Sequence, residues 1–301
     1  MSRSETTLAG PVEIEGIGVH GGRTARLLIE PAPAGAGIAF RLARRRHPVA
    51  RLFRVRPVPP VDVAADWRNV AATRLATVLS APGARPVRTV EHLMSALSGL
   101  SIDAARITVD GDEVPILDGS AAPFVAALDR AGRRALDAPR RRIRILREVA
   151  ARSGDSLAVL SPADGDGLAL SLAIDFPDEA IGRQSLALDL TPDVFRQEIA
   201  PARTFGRARD LRKLRRLGYG RGASLENAVG VDGARVLNPE GLRFADEFVR
   251  HKMLDAVGDL ALAGLPLAGR FRSEKGGHRL NHAALEALFA DPANYRVEVA
   301  G

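Results

Sequence analysis

The 301-residue chain contains no cysteine. That absence excludes a thiolate metal site, a disulfide framework and a cysteine nucleophile. Any metal would have to be held by histidine and carboxylate. Aromatic residues are also scarce, at 4%. Few rings are left on which bases could stack, and neither a zinc knuckle nor an RNP-like aromatic run is present, so nucleic acid is not an expected partner. Long apolar runs are missing too. The most apolar stretch, 260–268, falls far short of the roughly 20 residues that span a bilayer, so no integral membrane segment is expected. The N-terminal MSRSETTLAG lacks the apolar centre of a signal peptide. These absences together point to a cytoplasmic protein, expected to be a monomer.

Apolar residues make up 46% of the chain, which is a globular composition. The length suits two domains of ordinary size. Net charge is +7, and lysine contributes only Lys213, Lys252 and Lys275. An arginine excess follows from a GC-rich coding sequence, or from attraction to an acidic partner such as a phosphorylated substrate or a membrane surface.

Short strands and two helices alternate in the first half. The alternation in 11–17 and 24–29 predicts a hairpin joined by GVHGGR. A basic, proline-rich stretch, 41–60, reads as a surface excursion. Helical spacing puts Leu93, Leu97 and Leu100 on one face of 89–100. A strand is expected over 102–109, then a second helix after Asp118-Gly119-Ser120 with Pro123 in its first turn. The arginine run 140–144 reads as a boundary. Beyond it, strands are expected near 157–160 and 168–174, a basic helix over 208–217 and a long helix over 245–263. The expected fold class is α+β in two domains, split near residue 140, with no visible repeat between them.

Chemistry concentrates at a few histidines and acids. His251, Asp255 and Asp259 stand at i, i+4 and i+8, so on a helix they project from nearly one face. A His-x-x-x-Asp pair can give two ligands to one zinc ion. The best candidate for a third is His92, which sits beside Glu91 in TVEHLMSAL. Such a site would keep an open position for water, and Glu91 would be placed to take that water's proton. The same spacing also fits a solvated helix face. Asp255 and Asp259, however, lie in the apolar run MLDAVGDLALAG, and buried carboxylates need a cation or hydrogen-bond donors. His/His/Asp ligation accepts ferrous iron as well as zinc.

Over nearly its whole length the sequence resembles the UDP-3-O-acyl-N-acetylglucosamine deacetylase family, the zinc enzymes of lipid A biosynthesis. The segments that carry the resemblance are GIGVHGGR, TVEHLMSALSGLSID, EVPILDGSAAPF, ARTFG, GASLENAVGVD, RVLNPEGLRFADEFVRHKMLDAVGDL and KGGH. It implies a zinc-dependent amidohydrolase acting on a UDP-linked acylated amino sugar. His92, His251 and Asp255 would be its zinc ligands and Glu91 its general base. His278 would be the cationic partner of the oxyanion and the acid for the leaving amine, with Asp259 holding its charge. Thr204 would donate to the oxyanion, and Phe205 would line the site. Lys252 and Lys275 would face phosphates and sugar, with His20 nearby. His47 and His282 match no motif and read as surface residues. The implied fold is two similar domains, 1–138 and 139–301, each a helix pair on a sheet with the site between them. An insert over about 202–225 would hold the acyl chain.

Departures from the family pattern fall on substrate recognition. Leu146 replaces a lysine, Leu168 takes the place nearest a base-stacking aromatic, and Arg207, Gly220 and Arg221 enter the insert. They motivate an alternative, a paralogous deacetylase acting on another N-acetylated amino-sugar conjugate. A third reading, a non-catalytic binder of acidic glycolipid or nucleic acid, rests on the positive charge. The intact set of Glu91, His92, His251, Asp255 and His278 argues against it.

Overall fold

A computed structural model describes residues 4–43 and 61–300. His47 and most of the basic, proline-rich stretch lie outside these residues. The fold is α+β, with two larger sheets whose strands come from successive parts of the chain. The first sheet has five strands, in the spatial order Val12–Ile17, Thr24–Pro31, Ala105–Asp110, Ile38–Leu42 and Asp62–Ala64. Its opening hairpin pairs Val12 with Ile29 and Ile17 with Thr24. In Thr24–Pro31 alternate side chains are buried, as a half-covered strand requires. The second sheet has seven strands, all from 141–299. Its centre is Leu267–Glu274, which pairs with Ser156–Ser161, Leu168–Asp175 and Arg141–Ile145.

Six α-helical segments are described: α1 (Glu91–Gly99), α2 (Ala122–Ala131), α3 (Pro192–Val194), α4 (Ala208–Arg216), α5 (Glu247–Leu260) and α6 (His278–Phe289). Only one side of α2 is buried, through Phe124, Val125 and Leu128. By contrast α1 and α5 are buried almost all round and pack against each other. The closest approach of this pair is at Gly258. A β-carbon there would run into the backbone carbonyl of Glu91, so only glycine lets the two helices come together at this level. Gly258→Ala is expected to cost roughly 1–3 kcal/mol, because backbone rather than a flexible side chain must yield. A thermal melt should show the midpoint falling by several degrees; an unchanged midpoint would mean that the approach is not tight.

The arginine run follows the strand Arg133–Pro139, which pairs with Ser4–Leu8. It enters the second sheet as Arg141–Ile145, with Arg140 and Arg142 buried. Asp103 neutralises Arg140 at 2.9 Å, and Asp166 and Glu298 neutralise Arg142 at 2.6 and 2.8 Å. This buried charge is compensated by acids distant in the chain. His282, expected at the surface, is half-buried at 17% side-chain exposure, with its Nε2 2.9 Å from the carbonyl of Trp67. Leu168 is a core residue at 8% exposure. It has no exposed face for stacking a base. Leu146 is exposed at 42%.

Candidate metal centre and catalytic cluster

Because α1 and α5 cross at Gly258, the first turn of α1 faces the middle of α5. Glu91 and His92 come from the former, and His251, Asp255 and Asp259 from the latter. All five are buried, none more than 4% exposed. His92 Nε2 lies 3.6 Å from Asp255 Oδ1, and His251 Nε2 lies 3.4 Å from the same oxygen. One donor atom from each of the three residues falls within 4.8 Å of the others. Donors about 2.1 Å from one tetrahedral ion sit roughly 3.4 Å apart, so the three fit a single small divalent metal. His251 Nδ1 lies 3.1 Å from the carbonyl of Ala202. Donation there keeps the proton on Nδ1 and leaves Nε2 with a free lone pair. Burial pushes His251 down to about 3 against the opposing charge of Asp255, so the ring is neutral, as a ligand must be. Burial alone would raise Asp255, but the charges of Lys252 and His278 hold it well below the usual carboxylate range. Lys252 Nζ takes Asp255 Oδ2 at 2.6 Å, leaving Oδ1 to the histidines.

Beside this triad stands an acid–base pair. His278, the first residue of α6, places Nδ1 2.8 Å from Asp259 Oδ2 and Nε2 3.8 Å from Glu91 Oε1. Burial works against its charge, but Asp259 and Asp255 outweigh it and lift the imidazole to about 10. Glu91 is raised above an ordinary glutamate by burial, partly offset by His278 and His92. A carboxylate poised to accept a proton and an imidazolium poised to donate one therefore share the metal-binding space.

The segment 202–205 lies against α5. Its anchor is a buried ion pair, Arg203 Nε to Glu247 Oε1 at 2.9 Å, with the Arg203 amide donating to the same oxygen. Ala202 thereby meets His251, and the Phe205 ring stands edge-on to His251 at 6.2 Å between centroids. Lys252 lies 5.8 Å from that ring. Thr204 follows in the same turn, its amide donating to the Gly119 carbonyl. His20 packs edge-on against Tyr219, just beyond α4, and its amide donates to Glu113. Lys275 is not drawn to the triad. Its exposed ammonium is held by Asp155 and Asp175 at 2.9 and 3.0 Å.

Three supporting residues escape the sequence reading. Thr77 donates its hydroxyl to Asp259 Oδ1 at 2.6 Å and its amide to Glu91 Oε2 at 3.0 Å. Asn281 donates to Asp259 Oδ2 at 2.9 Å. Glu113 accepts the amides of His20 and Gly21 and the hydroxyl of Thr89. Thr89 has a left-handed φ of 59° two residues before Glu91, a strained conformation held in place by that bond. Only Glu113 offered a sequence signal, since it opens the EVPILDGSAAPF segment that carries the resemblance. Thr77→Val removes one donor from Asp259 and should weaken turnover about 10-fold without removing metal; a steady-state assay with metal analysis checks this.

Comparison with known proteins gives the family. The profile of the family UDP-3-O-acyl N-acetylglycosamine deacetylase matches residues 5–290. A protein of Anaeromyxobacter dehalogenans named UDP-3-O-acyl-N-acetylglucosamine deacetylase is 46% identical over 296 residues, covering 98% of this chain and 91% of its own. Its namesake in Phenylobacterium zucineum is 46% identical over 291 residues, covering 97% and 95%. The one in Brucella ovis is 43% identical over 298 residues, covering 99% of both. A match of this length, over a chain that buries two histidines and three carboxylates in one cluster, leaves one conclusion: the chain belongs to the UDP-3-O-acyl N-acetylglycosamine deacetylase family.

Proposed function

We propose that this chain hydrolyses the N-acetyl group of UDP-3-O-acyl-N-acetylglucosamine, releasing acetate, as a zinc-dependent step of lipid A biosynthesis in the cytoplasm. The observation that supports it most is the joint burial of a His/His/Asp triad with Glu91 and the His278–Asp259 pair. His92, His251 and Asp255 hold the metal; the donors suit zinc and also ferrous iron. When bound, such an ion lowers the pKa of water and polarises a carbonyl. Glu91 takes the proton of the attacking water as its oxygen bonds to the acetyl carbon. Thr204 and His278 donate to the oxygen that becomes negative. His278 then delivers a proton to the amine as the C–N bond breaks, and Asp259 keeps that imidazole oriented and charged. Phe205 lines the site, Lys252 and Lys275 face the sugar and phosphates, and His20 stands at its edge. Lys275 would exchange Asp155 and Asp175 for the substrate. The chain acts as a monomer of two units, 1–138 and 139–301, with the 202–225 insert receiving the acyl chain.

Leu146, exposed where the resemblance calls for lysine, favours a second reading, in which the amidase acts on another N-acetylated amino-sugar conjugate. Incubating the purified protein with both substrate types separates the two. Turnover of the UDP-linked acyl sugar is expected, lost on treatment with a chelator and restored by zinc. Turnover of the other conjugate alone would overturn the first reading.

A further inference from the structure

We infer that α4 and the cleft beside its C-terminal end form a docking surface for an anionic lipid bilayer. The inference does not depend on the reaction proposed for the metal centre. In ARDLRKLRR, Leu211 and Leu214 are half-buried, and Leu211 packs towards Gly220. Arg212, Lys213 and Arg216 are exposed. Neighbouring cations are already neutralised: Arg207 by Asp210, and Arg209 by Asp178 at 3.0 Å. Arg215 turns to the carbonyls of Gly220 and Ala223. Among the described residues no carboxylate forms an ion pair with Arg212, Lys213 or Arg216. Gly218 and Arg221, just beyond the helix, line a cleft of about 730 Å³ with Arg23 and Arg88. Asp110, Asp112 and Glu113 line it too, but Asp112 pairs with Arg85 and Glu113 accepts the amides of His20 and Gly21, and among the described residues Arg23, Arg88 and Arg221 have no ion-pair partner. Cations without an ion-pair partner therefore stand both on the helix and in the cleft beside its end.

Two leucines stand beside this charge. Leu217 is 50% exposed at the end of α4, and Leu225 is 41% exposed in the same insert. Cations next to exposed leucines match a surface whose head groups are negative and whose depth is apolar. The charge alone would also suit nucleic acid, but stacking rings are missing. Tyr219, the aromatic residue nearest this surface in sequence, is engaged by His20 at its edge and by Arg74 over its face. The leucines decide for lipid.

The test is co-sedimentation of the full chain with vesicles of phosphatidylcholine alone, or with about 30 mol% phosphatidylglycerol, at ~50 and ~300 mM salt. The chain should pellet with the anionic vesicles at low salt, stay in solution with the neutral ones, and be released at high salt. Combining Arg212→Gln, Lys213→Gln and Arg216→Gln should weaken partitioning about 100-fold, roughly fivefold per cation. Leu217→Ser should weaken it a further severalfold at unchanged charge. Equal binding to neutral vesicles, no binding at low salt, or undiminished binding of the triple variant would overturn the inference. So would tighter binding of a single-stranded RNA oligomer than of anionic vesicles. The composition and salt arms use the unmodified chain and decide the matter even where a variant folds poorly.

Discussion

Replacing Glu91 by alanine is expected to leave the metal bound while turnover falls by about 10²–10⁴-fold, the usual loss on removing a general base. Replacing its neighbour His92 should instead remove the metal, and with it all measurable turnover. The two residues are consecutive in α1, yet they meet different partners. His92 Nε2 points at the Asp255 oxygen that His251 also approaches. Glu91 is held by the Thr77 amide, and its Oε1 lies 3.8 Å from His278 Nε2. Asp255→Ala should behave like His92→Ala, since it withdraws the oxygen common to both histidines. Asp259→Ala should behave like Glu91→Ala, because its oxygens are spent on Thr77, His278 and Asn281. Zinc stoichiometry measured beside turnover for the four variants tests the assignment. Loss of metal from Glu91→Ala with retention in His92→Ala would reverse base and ligand.

A bell-shaped pH profile should follow from the opposed shifts of the acid–base pair. Glu91 must be ionised to accept a proton, and burial raises its pKa. Activity should therefore rise through a limb above the ordinary carboxylate range. His278 must be protonated to donate. Its folded value, near 10, exceeds the usual 6.5, so activity is retained below that value and lost as pH rises through it. A bound divalent cation adds a positive neighbour and draws the basic limb down from there. Asp259→Asn removes the largest favourable charge while burial continues to oppose the imidazolium. The basic limb should fall by ~1–3 pH units with metal content unchanged, and His278→Ala should abolish the limb. The measurement is kcat/KM against pH for the three proteins. A basic limb common to all three would show that another group is the acid.

Local regularities were legible in the chain itself. Alternation at 11–17 and 24–29 marks a hairpin that forms in that register, because period-two burial follows directly from the pleat. Helical spacing marks α1 and α5, which begin within two residues of the expected helices. The i, i+4 relation of His251 and Asp255 is likewise a property of one helix, so their convergence on one point could be read without any partner. The α6 helix was not anticipated, although His278 opens it.

Relations between distant segments belonged to the tertiary structure alone. The sequence named His92, but only the crossing of α1 over α5 brings it to Asp255, and that crossing depends on a missing β-carbon at Gly258. Thr77 resembles any loop threonine until folding sets it between Glu91 and Asp259. Nor can a sequence show that Asp103 will neutralise Arg140, or Asp166 and Glu298 Arg142. The physical reason is common to all three. Backbone periodicity is set by residues a few places apart, whereas desolvation and charge compensation are set by whatever the packed chain brings within a few ångströms.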